Sequence, residues 1–239
     1  MGLENGWKEE FKKIFLDFNR EEFDKLKLLK IIGEKGRIEF TSENFCKLSF
    51  TLLGFRINLE YNLKTDNLDL TFEDLVEGKK EDLEHLLFVY GRILKQRLHG
   101  FLLDEEKNFV NISMLHGGVA GKAYEKKIVD FLIGEMANPL REEVEKICKI
   151  MDGHMVQHLT SDWAYELRIL NGFRVRLVYW CGEEGIPPNI SVLYGSEILK
   201  TGLPIEDIVV LTEIFVNRFI ASYRKITGRK PVKQESLYY

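Results

Sequence analysis

Apolar residues recur along the chain in two rhythms. Trp7, Phe11, Ile14, Phe15 and Phe18 fall at the spacing of one helix face, and Phe23, Leu26, Leu29 and Ile31 resume it after Asn19, a residue suited to a cap. The chain therefore opens with two helices or one bent helix. Leu83, Leu86, Leu87, Tyr90, Ile93 and Leu94 mark another amphipathic helix, as do Tyr124, Ile128, Phe131 and Leu132 over 124–136. Asn138-Pro139 predicts a helix start, a cap followed by Pro in the first turn, with Glu142 and Glu143 suiting the positive helix end. Leu140, Val144, Ile147, Cys148 and Met151 form its stripe. The last helix follows Pro204, carries Glu206 and Asp207 in its first turn, and turns Ile208, Leu211, Phe215 and Phe219 inward.

The second rhythm is alternation, over about 45–61, 67–72, 163–180 and 189–194. Its clearest case is Trp163, Tyr165, Leu167 and Ile169, then Leu170-Asn171-Gly172, then Phe173, Val175, Leu177 and Tyr179. A two-residue Asn-Gly loop would put the two apolar rows on opposite faces. A three-residue loop, 170–172, pairs Leu167 with Val175 and needs Gly172 in the left-handed region. Arg168, Arg174 and Arg176 then share the polar face, which reads as solvated.

The chain also resembles itself. Gly54-Phe55-Arg56-Ile57-Asn58-Leu59-Glu60-Tyr61 recurs as Gly172-Phe173-Arg174-Val175-Arg176-Leu177-Val178-Tyr179. Lys30-Ile31 recurs as Lys149-Ile150, Thr41-Ser42 as Thr160-Ser161, and Asn67 to Phe72 as Asn189 to Tyr194, in the same order and at nearly constant spacing. The expected fold is α+β, an internally duplicated helix, four-strand antiparallel, helix unit with pseudo-twofold symmetry. Residues 1–97 form the first repeat, 98–123 a bridge and 124–239 the second repeat, whether as separate units or one continuous domain.

Composition bounds the function. Apolar residues make up 45% and charged ones 30% of 239 residues, ordinary for a folded protein with a real core. Lys plus Arg is 34 against 38 Asp plus Glu, a net charge of −4, which disfavours a nucleic-acid-binding saddle because Glu60 and Glu166 break up its basic face. Cys46, Cys148 and Cys181 are too few and too scattered for a disulfide framework or a metal cluster, and neither a signal peptide nor a membrane span is visible, so a cytoplasmic location is expected. Cys148, His154 and His158 lie close in sequence but lack a fourth ligand. His116-Gly117-Gly118-Val119-Ala120-Gly121-Lys122-Ala123 imitates a phosphate loop, with His116 in place of the first Gly and Ala123 in place of the magnesium-binding Ser or Thr. No residue stands in a recognisable nucleophile motif, and no catalytic residue, metal site or cofactor is assigned.

The segment Trp180-Cys181-Gly182-Glu183-Glu184-Gly185-Ile186-Pro187-Pro188-Asn189-Ile190-Ser191-Val192-Leu193-Tyr194, with Leu203-Pro204-Ile205-Glu206-Asp207, resembles the prokaryotic domain-of-unknown-function family three-seven-eight-six over about 140–220. The family pattern is a tryptophan-ended strand, an acidic pair, Phe-Pro, an apolar strand and a Leu-Pro-x-Glu-Asp helix start; Gly185-Ile186 departs from it. The resemblance implies a setting in anaerobic redox or cofactor metabolism and no established activity. A binding or interaction module with a small molecule or protein partner is the leading reading. A small-molecule-binding enzyme or ligand carrier with its site between the repeats is the alternative. Trp180, Glu183, Glu184, Pro187, Pro188 and Asp207 are the expected binding residues, because two adjacent prolines hold the acidic pair out at little ordering cost.

Overall fold

The computed structural model describes residues 3–18, 25–33, 36–42, 44–78, 80–136, 138–232 and 236–237. Asn19 and Phe23 lie outside them. The first half runs α1 (Leu3–Phe18), α2 (Lys25–Ile32), strands β1 (Arg37–Ser42), β2 (Phe45–Leu52), β3 (Phe55–Asn62) and β4 (Asn67–Asp74), then α3 (Lys80–His99). The second runs β5 (Phe109–Val110), a 3₁₀ turn (Ile112–Met114), α4 (Gly118–Glu135), α5 (Arg141–Met151), β6 (His154–Val156), β7 (Trp163–Leu170), β8 (Phe173–Trp180), β9 (Asn189–Gly195), a second 3₁₀ turn (Ser196–Lys200) and α6 (Ile205–Thr227). The fold is mixed helix and sheet with two antiparallel sheets, ordered β1-β2-β3-β4 and β5-β9-β8-β7-β6. Each half thus carries a pair of helices, four strands in sequential order and a closing helix; β5 adds a fifth strand to the second sheet.

The expected stripes bury themselves. Trp7, Phe11, Ile14 and Phe15 of α1 pack with Leu83, Leu86, Leu87 and Tyr90 of α3 in one continuous apolar core that also takes in Leu48, Leu59 and Tyr61 of the first sheet. The same core holds Tyr165, Leu177 and Val192 of the second sheet. Helix α6 is buried almost all round from Asp207 to Tyr223 and packs against α3, α4 and α5, so it lies at the centre of the molecule.

Four local expectations need correction. Leu26 is 70% exposed, and Leu28 and Ile31 face the core instead, which rotates the stripe of α2. Helix α4 starts at Gly118, six residues early, and Tyr124 lies on its outer side. Asn138 and Pro139 precede α5 without capping it: Asn138 takes a positive φ of 48°, and Leu140 is the cap residue, its N–H donating to Glu143 Oε2 at 2.8 Å. Leu140 is consequently exposed rather than part of the stripe, whereas Val144, Ile147, Cys148 and Met151 are buried as expected.

The two central hairpins solve the turn differently. Leu167 pairs with Val175 and Gly172 has φ 87°, as expected, but the loop is not 170–172: Leu170 pairs with Phe173, the loop is the two residues 171–172, and a register shift between Arg168 and Leu170 keeps the apolar rows on one face. The first hairpin closes tightly, Leu52 opposite Phe55, with Leu53 at φ 52° and Gly54 at φ 79°. A leucine tolerates that conformation only where its surroundings fix it. Leu53 is fully buried, and its carbonyl accepts from Arg218 Nε of α6 at 2.9 Å. The matching atom of the other turn is held the same way: the Asn171 carbonyl accepts from Arg97 Nε of α3 at 3.3 Å. Each half therefore supplies the arginine that grips the hairpin tip of the other.

Candidate functional site

The outer faces of the two sheets differ in kind. On the first, Lys47 pairs with Glu60 at 2.7 Å and Arg56 with Glu73 at 2.6 Å, all near solvent. On the second, register places His154, Glu166, Arg176 and Leu193 in one row across β6, β7, β8 and β9, beside Arg168 and Arg174 in the next. A solvated face is the expectation here, and it fails: Arg174 is only 7% exposed, whereas the side chain of its counterpart Arg56 is 56% exposed.

The cover is the irregular strap of residues 101–108, which leads into β5, together with the turn after β9. Glu197 from that turn binds Arg174 twice, Oε1 to Nε at 2.7 Å and Oε2 to Nη2 at 3.0 Å. Glu166 accepts from Arg174 Nη1 at 3.0 Å and from Arg176 Nε at 2.9 Å. Phe109 lays its ring 3.6 Å from the Arg176 guanidinium. Burial alone would weaken the charge on Arg174, but the hydrogen bond to Glu197 and the fields of Glu197, Glu166 and Glu105 outweigh it and hold the group above its ordinary range. Gly195 leaves room for this pair, since a Cβ there would stand 2.3 Å from Glu197 Oε1 and the carboxylate would have to shift away. Next to this network His158 Nδ1 lies 3.2 Å from Arg176 Nη1, and burial together with Arg176 pushes the imidazole pKa below its usual value. Arginine can only donate, so Nδ1 accepts and the proton sits on Nε2.

At the other end of the strap a cleft of about 530 Å³ opens where the halves meet. Its walls are the end of α2 (Leu29, Lys30), the strap (Leu102, Leu103, Asp104) and the β7 end (Arg168). Asn171 ties these pieces together. Its side chain exchanges two bonds with Leu103, N–H to Oδ1 at 2.9 Å and Nδ2 to the carbonyl at 2.7 Å, while its own N–H donates to Ile31 O at 2.8 Å. Arg168 Nη2 donates to Lys30 O at 2.8 Å, and Glu105 lies 3.8 Å from Arg168 and 3.6 Å from Arg174. The size suits a small molecule.

The residues expected to bind fall into two places. Glu183, Glu184 and Pro187 are exposed, with Trp180 and Pro188 half-buried beside them. Their loop is tight: Ile186 N–H donates to Glu183 O at 2.8 Å, and a Cβ on Gly182 would meet Ile186 O and Pro188 N at 2.8 Å. Asp207 stands apart. Thr201, just ahead of α6, lies against Gly172 at the start of β8, whereas the 181–188 loop follows the other end of that strand, whose eight residues span about 25 Å. In the first turn of α6, Asp207 is buried against Arg92 at 3.3 Å, and burial pushes its carboxyl above the usual range. What sequence reading missed is the strap, which brings the Glu105 carboxylate to Arg168 and Arg174 and the Glu106 carbonyl to Arg174; these contacts join residues far apart in the chain and leave no periodic signal.

The other motifs resolve structurally. In the phosphate-loop look-alike, Gly118 is fixed by close approach, since its Cβ would fall 1.8 Å from Ile112 O, and Gly121 packs on the Ile112 side chain. Cys46 and Cys148 are buried on different elements, their thiols pushed up to about 12 by burial, and Cys181 is exposed on a third, so the donor set does not suit an iron–sulfur cluster. No group of three or more His, Cys, Asp or Glu able to hold a metal occurs among the described residues, and none of their helices is long and apolar enough to cross a membrane.

Fold and site together define an α+β protein with two antiparallel sheets and a cleft between the end of α2, the strap and the end of β7. The chain belongs to the family described as Domain of unknown function (DUF3786), whose model matches residues 98–218, just over half its length. That span runs from the strap through the arginine–glutamate face and the 181–188 loop to Arg218. No curated protein and no solved structure matches the chain.

Proposed function

We propose that the protein is a binding module built from two copies of one α+β unit, with its ligand site in the cleft where the copies meet. The duplication rests on the collinear sequence blocks, the shared strand order and the reciprocal bonds of Arg97 and Arg218 to equivalent turn carbonyls. The ligand site rests on the cleft itself, which combines leucine walls, two cations and an acid at a junction of three chain segments. Such a module suits the cofactor metabolism implied by the family resemblance. The test is a small-molecule screen followed by amide and methyl shift mapping. Ligands should move signals of residues 29–33, 102–104 and 168–171; a screen whose hits all map elsewhere, or that yields none, overturns the reading.

A second surface, the 181–188 loop, is favoured as a contact for a basic protein partner. Its observation is a rigid turn that holds Glu183, Glu184 and the 63% exposed Ile186 out from the sheet.

A further inference from the structure

We infer that the cleft is a carboxylate site, and that Glu105 of the strap holds the place of the ligand's acid group. The inference rests on the cleft reading above and adds the chemical class of the ligand.

The charges around the cleft are unevenly satisfied. Arg174 is saturated by Glu197 and Glu166. Arg168 stands directly opposite it in the β7–β8 register, and two like charges facing each other across a sheet repel unless an anion lies between them. Glu105 supplies that anion, but loosely. It approaches Arg168 Nε at 3.8 Å, beyond hydrogen-bond reach, and about half its side-chain surface remains exposed. Lys30, which also lines the cleft, makes no ion pair with any described residue. The cleft therefore offers one under-bonded guanidinium and one ammonium without an ion pair among the described residues, both near solvent, against the single carboxylate of Asp104 in its lining.

Leu29, Leu102 and Leu103 line the same cleft and supply apolar surface beside these cations. A cleft lined by two cations and three leucines suits a molecule with a carboxylate head and an apolar body. A carboxylate entering the cleft would replace a long, half-solvated contact with Arg168 by direct charge-assisted bonds, and Glu105 would swing out on the irregular strap. Binding and displacement of Glu105 are thus in competition.

The test uses the full chain with three probes of one body and different heads: hexanoate, hexanol and hexylamine, read by shift mapping at Leu102, Leu103 and Asn171. Hexanoate should bind there and the other two should not. Glu105→Gln should tighten hexanoate, Lys30→Gln should weaken it several-fold, and Arg168→Gln should weaken it by about tenfold or more. Lys30→Gln guards against misfolding, because only the Lys30 carbonyl bonds Arg168 and the substitution leaves it in place. If hexanol matches hexanoate, or if all three variants bind hexanoate like the parent, the carboxylate assignment is wrong while the cleft stands. If the probes leave these signals unmoved and the wider screen still finds cleft ligands, again only the carboxylate assignment falls. If that screen is empty as well, the binding reading itself falls with it.

Discussion

Arg218 is a fully buried guanidinium, and each of its bonds runs to the other half of the molecule. It donates to Leu53 O, forks onto Asp74 with Nη1 to Oδ2 at 3.0 Å, and stacks 3.7 Å from the Phe55 ring. Asp74 in turn accepts from the N–H groups of Val76, Glu77 and Gly78. The two partners are therefore not equivalent. Removing the Asp74 charge strands a buried cation, whereas removing Arg218 leaves an aspartate with three backbone donors and some solvent. Asp74→Asn should cost about 3 kcal/mol, and Arg218→Met, which keeps the apolar bulk, distinctly less; urea denaturation compares them. Equal losses would mean that the charge pairing is not what matters. The pair also sets an acid dependence. Burial raises the Asp74 pKa, but the Arg218 bonds and backbone donors outweigh it and hold it below the usual carboxylate value of 3.8. A depressed acid contributes stability that is present above 3.8 and lost as pH falls through the folded-state value, so Asp74→Asn should flatten that part of the profile. His158 acts nearer neutrality. Its folded pKa is depressed below 6.5, so its share is present above 6.5 and lost on acidification through the window just beneath.

Among the elements, the 181–188 loop carries a prediction independent of the cleft. Glu183 and Glu184 are exposed on a turn closed by backbone bonds, and the loop is held to the sheet by Cys181 N–H donating to Asp162 Oδ2 at 2.6 Å. Replacing both glutamates with Gln should leave the melting temperature within about 1 °C, since exposed charges contribute little to stability. The same change should abolish binding of a basic peptide tested against the loop; unchanged binding removes the loop from the functional account. This loop was legible in the sequence because its prolines and glycines are local signals. The α6 helix and the Leu167–Val175 pairing were legible for the same reason, as periodicity and turn parity are properties of short windows. The stripe of α2 was not: Leu26 and Leu28 fit a helix pattern almost equally well, and contact with neighbouring elements chose Leu28. The Gly-rich start of α4 misled in another way. Glycines needed so that one backbone can approach another look the same in sequence as glycines that cradle a phosphate. The arginine–glutamate face was read as solvated because its cover comes from the strap, and an irregular segment leaves no pattern from which its docking could be read.

At the scale of the molecule, the two sheets and their helices are joined too closely to act as two domains. The buried apolar residues of both form one continuous core, and α6 lies within it rather than at its margin. Arg97 and Arg218 cross-link the halves through the hairpin tips, and Arg168 and Asn171 bind the end of α2. If either half opened alone, it would expose apolar surface of the other and strand a buried arginine, so partial unfolding is costly. Urea unfolding should therefore be a single transition, with near-ultraviolet and far-ultraviolet circular dichroism and tryptophan fluorescence coinciding. Trp7 reports on the first half, and Trp163 and Trp180 on the second, so single-tryptophan variants separate the two signals. Asp74→Asn should shift both midpoints together, its roughly 3 kcal/mol lowering the melting temperature by about 6–12 °C in a chain of this size. Two resolved transitions, or a midpoint that moves for Trp7 alone, would show that the halves are separate cooperative units and that the junction, with the cleft in it, can open without either half unfolding.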